Sequence, residues 1–287
     1  MKLFILGAGF TKAFCSDAPL IRDYFIKVKS ARIRKVLREY RKIGIKTSEA
    51  LSSLLLDDSY IFNYKEKLER EEDSIEFIQS IANRLRLIKP DNEALFNQYI
   101  QNNMLDNHEN KIVTFNYDTL VEDFYSGYLP YEISLTGSPF ENGIIDCGEF
   151  GNNNSILKLH GSINWFKSSD NNPADLSNIF YCKKDQRSYK SLIEKQMPII
   201  VPFSFNKRIF LEGNIFDLMW KRFDQLLAEC TSIEILGYSF PESDYLIVDR
   251  ISRYFPKISK VVVKEKAKDK IKRLDRLFHE KLDIDGI

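Results

Sequence analysis

Short apolar runs recur along the chain and are separated by polar or amphipathic stretches, which predicts strands that alternate with helices. Strands of four or five apolar residues, each followed by a helical pattern, are typical of a parallel sheet covered on both faces. We therefore predict an α/β fold with a doubly wound, Rossmann-like parallel sheet. The predicted strands are KLFIL at 2–6, KIVTF at 111–115, ILKLH at 156–160, IFYC at 179–182, PIIVPF at 198–203, SIEIL at 232–236 and VVV at 261–263.

Two long segments do not fit the simple alternation and are predicted as insertions. Residues 19–106 have helix-like apolar spacing almost throughout, with Asp73 and Glu76 as an expected capping box and Pro90 as an expected helix start. Residues 136–200 are rich in loops and short strands. The chain is thus predicted to be a single domain over 1–287 with a helical insertion at 19–106 and a loop and strand insertion at 136–200.

Three further helical patterns complete the prediction. One covers residues 214–230, a second opens at Pro241, and a third lies in the charged tail after the last strand. The tail alternates basic and acidic residues, which favours a solvated helix face over a contact with a partner or a nucleic acid.

Composition and charge narrow the possible partners. The chain has 287 residues, of which 44% are hydrophobic and 29% charged, so it can bury a full core. Its formal net charge of +1 gives no direct support for a nucleic-acid partner and none for a membrane surface. No apolar run approaches the length of a membrane helix, and we predict a cytoplasmic protein.

The cysteines give no sign of a metal or of disulfides. The chain has four, and none of them forms a CxxC pair. We therefore predict reduced thiols, no zinc module and no bound metal. The four are Cys15, Cys147, Cys182 and Cys230.

Small or polar residues follow four of the predicted strands. In a sheet of this class, ligands bind in the crevice outside the carboxyl ends of the strands, so these residues are the candidates for a site. They are Gly7, Ala8, Gly9, Phe10 and Thr11 after the first strand, Asn116 and Asp118 after the second, His160 and Gly161 after the third, and Gly237 and Ser239 after SIEIL.

The turn GAGFT at 7–11 can be interpreted in two ways. Its glycines would let the backbone approach a phosphate, and the following helix would offer free N–H groups and its positive end. A tight turn without a ligand explains the same residues. The third glycine of a dinucleotide fingerprint is replaced by Lys12, so the turn alone does not decide between the two.

The polar residues after the next two strands also have structural alternatives. Asp118 is a good N-cap for the helix that follows it, whereas Asn116 has no such explanation and would hold a hydroxyl or a water. His160 is either a core residue or a proton acceptor, since histidine titrates near neutral pH and Gly161 leaves room beside the imidazole. His108 and His279 lie in polar helical surroundings and are expected at the surface.

Taken in order, these motifs resemble the sirtuins, and specifically the prokaryotic sirtuin-like branch found in antiviral defence. The resemblance spans most of the chain, although each motif is weak by itself. It implies that the protein binds NAD+ as its substrate and breaks the bond between nicotinamide and ribose. The motifs are GAGFT at 7–11, APL at 18–20, TFNYD at 114–118, KLHGSINW at 158–165 and LGYSFPESD at 236–244.

The resemblance also implies a role for each candidate residue. Lys264 and Glu265 stand where sirtuins often have an Asn and an acid on the adenosine ribose, so that contact is not implied here. The pyrophosphate site of the family is matched by the turn of Gly7, Ala8, Gly9, Phe10 and Thr11, and the lining of its nicotinamide-ribose pocket is matched by Asn116 and Asp118. The catalytic histidine is matched by His160, and the cofactor-binding GxS is matched by Gly237 and Ser239.

The departures from the family point to hydrolysis. Sirtuin deacylases carry a four-cysteine zinc module, which this sequence lacks, so water is the expected acceptor and ADP-ribose plus nicotinamide the expected products. Such an NAD+ hydrolase must be latent, and the resemblance implies activation in anti-phage defence by self-assembly into a homo-oligomer or by a partner, such as a HerA-like ATPase or another sensor, on the helical insertion.

Three other functions remain open from the sequence. The first is NAD-dependent protein deacylation. The second is a non-catalytic module that senses NAD+ or ADP-ribose and controls a partner. The third is a scaffold in which the polar clusters serve only as turns and helix caps.

Overall fold

A computed structural model gives the fold of most of the chain. It describes residues 1–20, 27–45, 50–51, 54–55, 64–124, 131–132, 136–137, 154–167, 179–182, 187–201, 214–241, 244–264 and 282–284.

The centre of the molecule is a six-stranded parallel sheet in the order β4-β2-β1-β7-β8-β9. Counted within this sheet alone, the strands lie in the order 3-2-1-4-5-6, which is that of dinucleotide-binding doubly wound folds. The predicted fold class is therefore confirmed. The strands are β1 at Lys2–Leu6, β2 at Lys111–Thr114, β4 at Ser155–Lys158, β7 at Ser232–Leu236, β8 at Lys260–Lys264 and β9 at Leu282–Ile284.

A second, three-stranded sheet has the order β3-β6-β5. In it β3 is parallel to β6, and β5 is antiparallel to β6. The prediction of a strand at IFYC is confirmed by β6, whereas PIIVPF forms only an isolated bridge at Ile200 within its described part. The strands are β3 at Thr136–Gly137, β5 at Trp165–Lys167 and β6 at Ile179–Tyr181.

Eight α-helices are described, and four of them, α1 to α4, lie between β1 and β2 in the chain. None of the helices within the described ranges is long and apolar enough to cross a membrane. The helices are α1 at Ala8–Phe14, α2 at Ala31–Lys42, α3 at Tyr64–Leu85, α4 at Glu93–Tyr99 with a π-turn at Ile100–Met104, α5 at Leu120–Phe124, α6 at Arg187–Lys195, α7 at Asn214–Glu229 and α8 at Tyr245–Tyr254.

The predicted capping box at Asp73 and Glu76 is wrong, because both residues lie inside the continuous helix α3. Asp73 is fully buried and binds the backbone before a different helix. Its carboxylate accepts hydrogen bonds from the backbone N–H groups of Lys29 at 2.9 Å and Ser30 at 3.2 Å, just before α2. The first turn of α2 is capped by Ser30, whose hydroxyl accepts from Ile33 N at 3.4 Å, and Asp73 holds the backbone of the two residues before that turn.

Two other local predictions differ from the structure. The helix expected at Pro90 begins at Glu93, where the side chain of Asn92 accepts a hydrogen bond from Leu95 N at 3.0 Å and caps the first turn. The helix expected from Pro241 begins at Tyr245. The expected tail helix lies outside the described residues, and β9 was not predicted from the sequence.

A buried ion cluster joins the two neighbouring strands β2 and β4 at their amino-terminal ends. Glu132 lies at its centre, 3.2 Å from Lys111 Nζ and 2.6 Å from Arg222 Nε, and it also accepts a hydrogen bond from Ser155 Oγ. Burial alone would raise the pKa of Glu132, but the Ser155 hydrogen bond and the two cations outweigh it and lower the pKa below its ordinary value of 4.5.

This lowered pKa predicts a specific loss of stability in acid. The Glu132 carboxylate stabilises the fold fully above pH 4.5, and this contribution is lost as the pH falls through the lower pKa of the folded state. We expect Glu132→Gln to lower the free energy of unfolding by about 3–5 kcal/mol at neutral pH and to flatten its decline in acid. Urea unfolding on both sides of pH 4.5 measures this.

Glu39→Gln is the control, because Glu39 forms an exposed pair with Lys42. Surface pairs of this kind contribute about 0–1 kcal/mol. An equally steep decline in acid for the wild type and Glu132→Gln would show that Glu132 does not produce it.

Candidate active site

The carboxyl ends of four neighbouring strands meet at one edge of the large sheet. In the order β4, β2, β1 and β7, they are followed by His160, Asn116, Gly7 and Gly237. The strand order reverses between β1 and β7, and crevices at such switch points are where ligands bind in doubly wound folds. Each of the polar clusters identified in the sequence therefore lies at this edge.

The glycine turns after β1 and β7 are in direct backbone contact. Gly9 N donates a hydrogen bond to Gly237 O at 2.9 Å, and Gly7 N donates to Leu236 O at 3.0 Å. Gly237 has a φ of +61°, and a Cβ there would lie 2.0 Å from Phe10 N. Only glycine fits this position without moving the first turn, so the two turns form one unit.

The contact between the turns also uses backbone amides that the sequence suggested for a phosphate. Gly9 N is bound to Gly237 O, and Phe10 N donates to Gly7 O at 2.9 Å. An anion at this turn must therefore use its other amides or replace one of these two hydrogen bonds.

Asn116 is held in a fixed orientation by the first turn. Its Nδ2 donates to Gly7 O at 3.0 Å and to Thr11 Oγ1 at 2.9 Å. Because a backbone carbonyl only accepts hydrogen bonds, the amide nitrogen must face Gly7. The side chain of Asn116 is half-buried, and its carbonyl oxygen is the group that can accept a hydrogen bond from a ligand.

Asp118 completes this chain of hydrogen bonds and also caps a helix. One carboxylate oxygen accepts from Thr11 Oγ1 at 2.9 Å, and the other accepts from Leu120 N at 3.1 Å, at the start of α5. Both residues are buried. The Thr11 hydroxyl is thus used within the protein, and Asp118 orients Asn116 through it, which adds a positioning role to the capping role expected from the sequence.

His160 lies in a turn directly after β4 and is 4% exposed. Its imidazole and the Phe115 ring are in edge-to-face contact, with ring centroids 5.1 Å apart. The backbone is held by the segment 199–201, since Val201 N donates to His160 O at 2.8 Å. Gly161 has a φ of +74°, and a Cβ there would lie 2.1 Å from Ile199 O. Gly161 is thus required by the approach of this segment, which differs from the expected role of leaving room for the imidazole.

A row of aromatic rings lies beside the polar residues of the candidate site, and these rings were not predicted from the sequence. Phe115 stacks on Tyr238 with centroids 4.3 Å apart and planes 19° apart, and Tyr238 meets Phe240 edge to face at 4.7 Å. The hydroxyl of Tyr238 donates to Asp244 just before α8. These rings follow the same strands as the polar residues. Their place in the motifs TFNYD and GYSF was therefore the sequence signal that could have indicated them.

Along the chain, Ser239 stands between Tyr238 and Phe240, whose rings are buried. Ser239 itself is half-buried. Its neighbour Phe240 has a φ of +48°, which is uncommon for a residue other than glycine and often marks a functional site. Of the three polar candidates, His160 contacts Phe115 directly, and Asn116 and Ser239 are the chain neighbours of the stacked rings Phe115 and Tyr238.

Metal-binding clusters and thiols are further groups that could carry chemistry in the part of the chain that the structure describes. Within it, no three His, Cys, Asp or Glu side chains are grouped so that they could hold a metal ion, and Cys147 lies outside it. Burial raises the pKa of the Cys230 thiol to about 11, so this thiol is protonated at neutral pH.

Comparisons with known proteins give only distant similarities. No family model matches the chain, and no curated protein matches its sequence. Among solved structures, the chain is similar to a Sir2 homologue in complex with NAD, with 12% identity, a TM-score of 0.47 and coverage of 99% of this chain and 83% of that chain. It is also similar to a mutant Sir2 homologue in complex with ADP-ribose, with 12% identity, a TM-score of 0.47 and coverage of 96% and 90%. A Sir2 structure with a propionylated peptide gives 11% identity, a TM-score of 0.46 and coverage of 99% and 86%. These values are too low to assign the chain to that family.

Proposed function

We propose that the protein is an NAD+ hydrolase, which converts NAD+ and water to ADP-ribose and nicotinamide. The main support is the edge of the sheet where β4, β2, β1 and β7 end, because the amide of Asn116 contacts the first glycine turn there and His160 contacts Phe115 beside Asn116. The motif resemblance to sirtuin-like proteins supplies the identity of the dinucleotide.

The chemistry requires one water molecule, a proton acceptor and a leaving group. Water adds to C1′ of the ribose while the bond from C1′ to the nicotinamide nitrogen breaks, and the bonding electrons neutralise the pyridinium. We propose that His160 accepts the proton of that water. It does so either directly or through a ribose hydroxyl that His160 orients. The carbonyl oxygen of Asn116 accepts a hydrogen bond from the water or the sugar and holds it in place.

The remaining candidate residues are assigned to binding. The turn at Gly7, Gly9 and Thr11 would lie against the pyrophosphate, and Gly237 with Ser239 would contact the dinucleotide from β7. The stacked rings of Phe115 and Tyr238 would keep bulk water from the reacting carbon.

Water is favoured as the acceptor over an acyl-lysine by the sequence. None of the four cysteines forms the CxxC pairs expected of the deacylase zinc module. A free NAD+ hydrolase would be lethal to its host, so we infer a latent cytoplasmic enzyme that acts in anti-phage defence by depleting NAD+. Its activation would require a homo-oligomer or a second protein, such as a HerA-like ATPase or another sensor, at the helical insertion.

Incubation of the purified protein with NAD+ tests this function. We expect nicotinamide and ADP-ribose in equal amounts without any peptide, either from the protein alone or after addition of the product of its neighbouring gene. Chromatography of the nucleotides measures both products.

The other possible results identify the alternatives. Nicotinamide release only with an acyl-lysine peptide would make the protein a deacylase. Thermal stabilisation by NAD+ without turnover in the assembled complex would make it a sensing module, since a saturating ligand at 100 times its Kd adds about 2.7 kcal/mol. If the protein neither hydrolyses NAD+ nor is stabilised by it, the scaffold is the one remaining alternative.

A further inference from the structure

A fully buried lysine lies at the end of β4, just before the turn that carries His160. The side chain of Lys158 has no exposed surface, and its Nζ is 2.7 Å from Glu122 Oε1. The same ammonium group donates a hydrogen bond to the backbone oxygen of Asp118. Both partners belong to the segment that follows β2, so one charged group joins the two strand ends that carry His160 and Asn116.

The burial of this pair argues against a role in stability alone. Removing an ammonium and a carboxylate from water costs several kcal/mol for each ion, and apolar residues of similar size often stabilise a fold as well or better. Burial raises the pKa of Glu122, and the charge of Lys158 opposes that rise only in part. A buried pair at this position is therefore better explained by the geometry that it imposes.

Three hydrogen bonds lead from Lys158 to the amide of Asn116. Lys158 binds the carbonyl of Asp118, the carboxylate of Asp118 accepts from Thr11, and the Thr11 hydroxyl accepts from Asn116. Lys158 is also two residues from His160 along the chain. The lysine thus contacts one side of the site and belongs to the strand that carries the other side.

We propose that Lys158 is a positioning residue that sets the separation between His160 and Asn116. This inference rests on the proposed function, in which the two side chains must flank one water molecule. Displacement of a reacting group by about 1 Å costs on the order of 10²-fold in rate. Lys158 itself touches neither the substrate nor the water in this assignment.

The chain offers a matched control in Lys111. Lys111 is also a buried lysine of the large sheet, with 10% of its side chain exposed, and it pairs with Glu132 at 3.2 Å. It lies at the first residue of β2, whereas Lys158 is the last residue of β4. Lys111→Met therefore removes a buried cation from the opposite end of the same pair of strands.

The test compares the double variant Lys158→Met/Glu122→Leu with Lys111→Met. Replacing both members of the first pair leaves no buried charge without a partner, and we expect the double variant to unfold at nearly the wild-type urea concentration. We expect its kcat for nicotinamide release to fall about 10²-fold with little change in KM, while Lys111→Met keeps the kcat of the wild type. A folded double variant with wild-type kcat, or an equal loss of kcat in Lys111→Met, would overturn the inference.

A second measurement does not depend on catalysis. The chain has three histidines, so ¹³C-labelled histidine gives three ring signals, and the His160 signal is identified by its loss in His160→Ala. Because the His160 imidazole packs edge to face with the Phe115 ring, its signal reports the position of the imidazole relative to Phe115. We expect this signal to shift in the double variant and to remain in place in Lys111→Met.

The two measurements separate the inference from the function on which it rests. A His160 signal that shifts in the double variant, together with a wild type that releases no nicotinamide, would disprove hydrolysis and still support positioning by Lys158. An unchanged His160 signal in the folded double variant would overturn the inference whether or not the wild type is active.

Discussion

Replacement of His160 by alanine is expected to lower the rate of nicotinamide release from NAD+ by about 10²–10⁴-fold, the usual contribution of a general base. The imidazole is 4% exposed and lies at the end of β4, next to Phe115. Loss of the ring removes the proton acceptor, while the backbone hydrogen bond from Val201 N to residue 160 is retained. The measurement is the initial rate of nicotinamide release under the conditions that activate the wild type.

The matched control is His108→Ala, since His108 is exposed and lies outside the site. Its rate should equal that of the wild type. Urea unfolding of both variants distinguishes a loss of chemistry from a loss of fold. Hydrolysis at the wild-type rate by a folded His160→Ala variant would remove His160 from the mechanism.

The second large effect is expected on stability from Gly237→Ala. A methyl group there would lie 2.0 Å from Phe10 N and 2.3 Å from the carbonyl carbon of Gly9, and the φ of +61° is unfavourable for alanine. The left-handed backbone costs about 1–2 kcal/mol. Overpacking typically costs about 1–3 kcal/mol, and here the obstacle is backbone that cannot rotate away. We therefore expect a large fall in the free energy of unfolding and loss of NAD+ binding, measured by urea unfolding and calorimetry.

Gly44→Ala isolates the backbone contribution. Gly44 has a φ of +79°, but a Cβ there would meet no atom within 4 Å. This variant should lose only about 1–2 kcal/mol and keep its affinity for NAD+. Equal losses in the two variants would mean that the contact between the two glycine turns contributes nothing beyond the backbone conformation.

The sheet was predictable because its information is local. β1, β2 and β8 contain continuous apolar runs, as expected of strands buried on both faces, and β7 is interrupted only by the buried Glu234. Each of these strands is followed by a turn or a helix signal. A parallel arrangement then places all their carboxyl ends at one edge. The predicted polar residues at that edge are close together in the structure for this reason.

The features that were not predictable depend on contacts between distant parts of the chain. Asp73 has the sequence signature of a helix start, but a helix more than thirty residues earlier uses its carboxylate. Lys158 reads as one polar residue in an apolar strand, and nothing local indicates that Glu122 and the carbonyl of Asp118 lie beside it. Charge pairs in the core follow from the tertiary arrangement and leave no spacing pattern.

Within the candidate site, polar residues were easier to recognise than apolar ones. Phe115 and Tyr238 stand beside the selected residues in both motifs, yet aromatic residues at strand ends usually indicate core packing. Their stacking joins two strands that are separated by β1 in the sheet. Such a contact cannot be read from either motif alone.

The position of β1 has a consequence for how the protein matures during translation. This first strand pairs on one side with β2 and on the other with β7, whose last residue is Leu236. Until the nascent chain has emerged from the ribosome past that point, β1 lacks its partner β7. Gly9 N also lacks the carbonyl of Gly237 to which it donates a hydrogen bond. Prematurely terminated products therefore cannot assemble the candidate site, and under the proposed function such fragments would not hydrolyse NAD+.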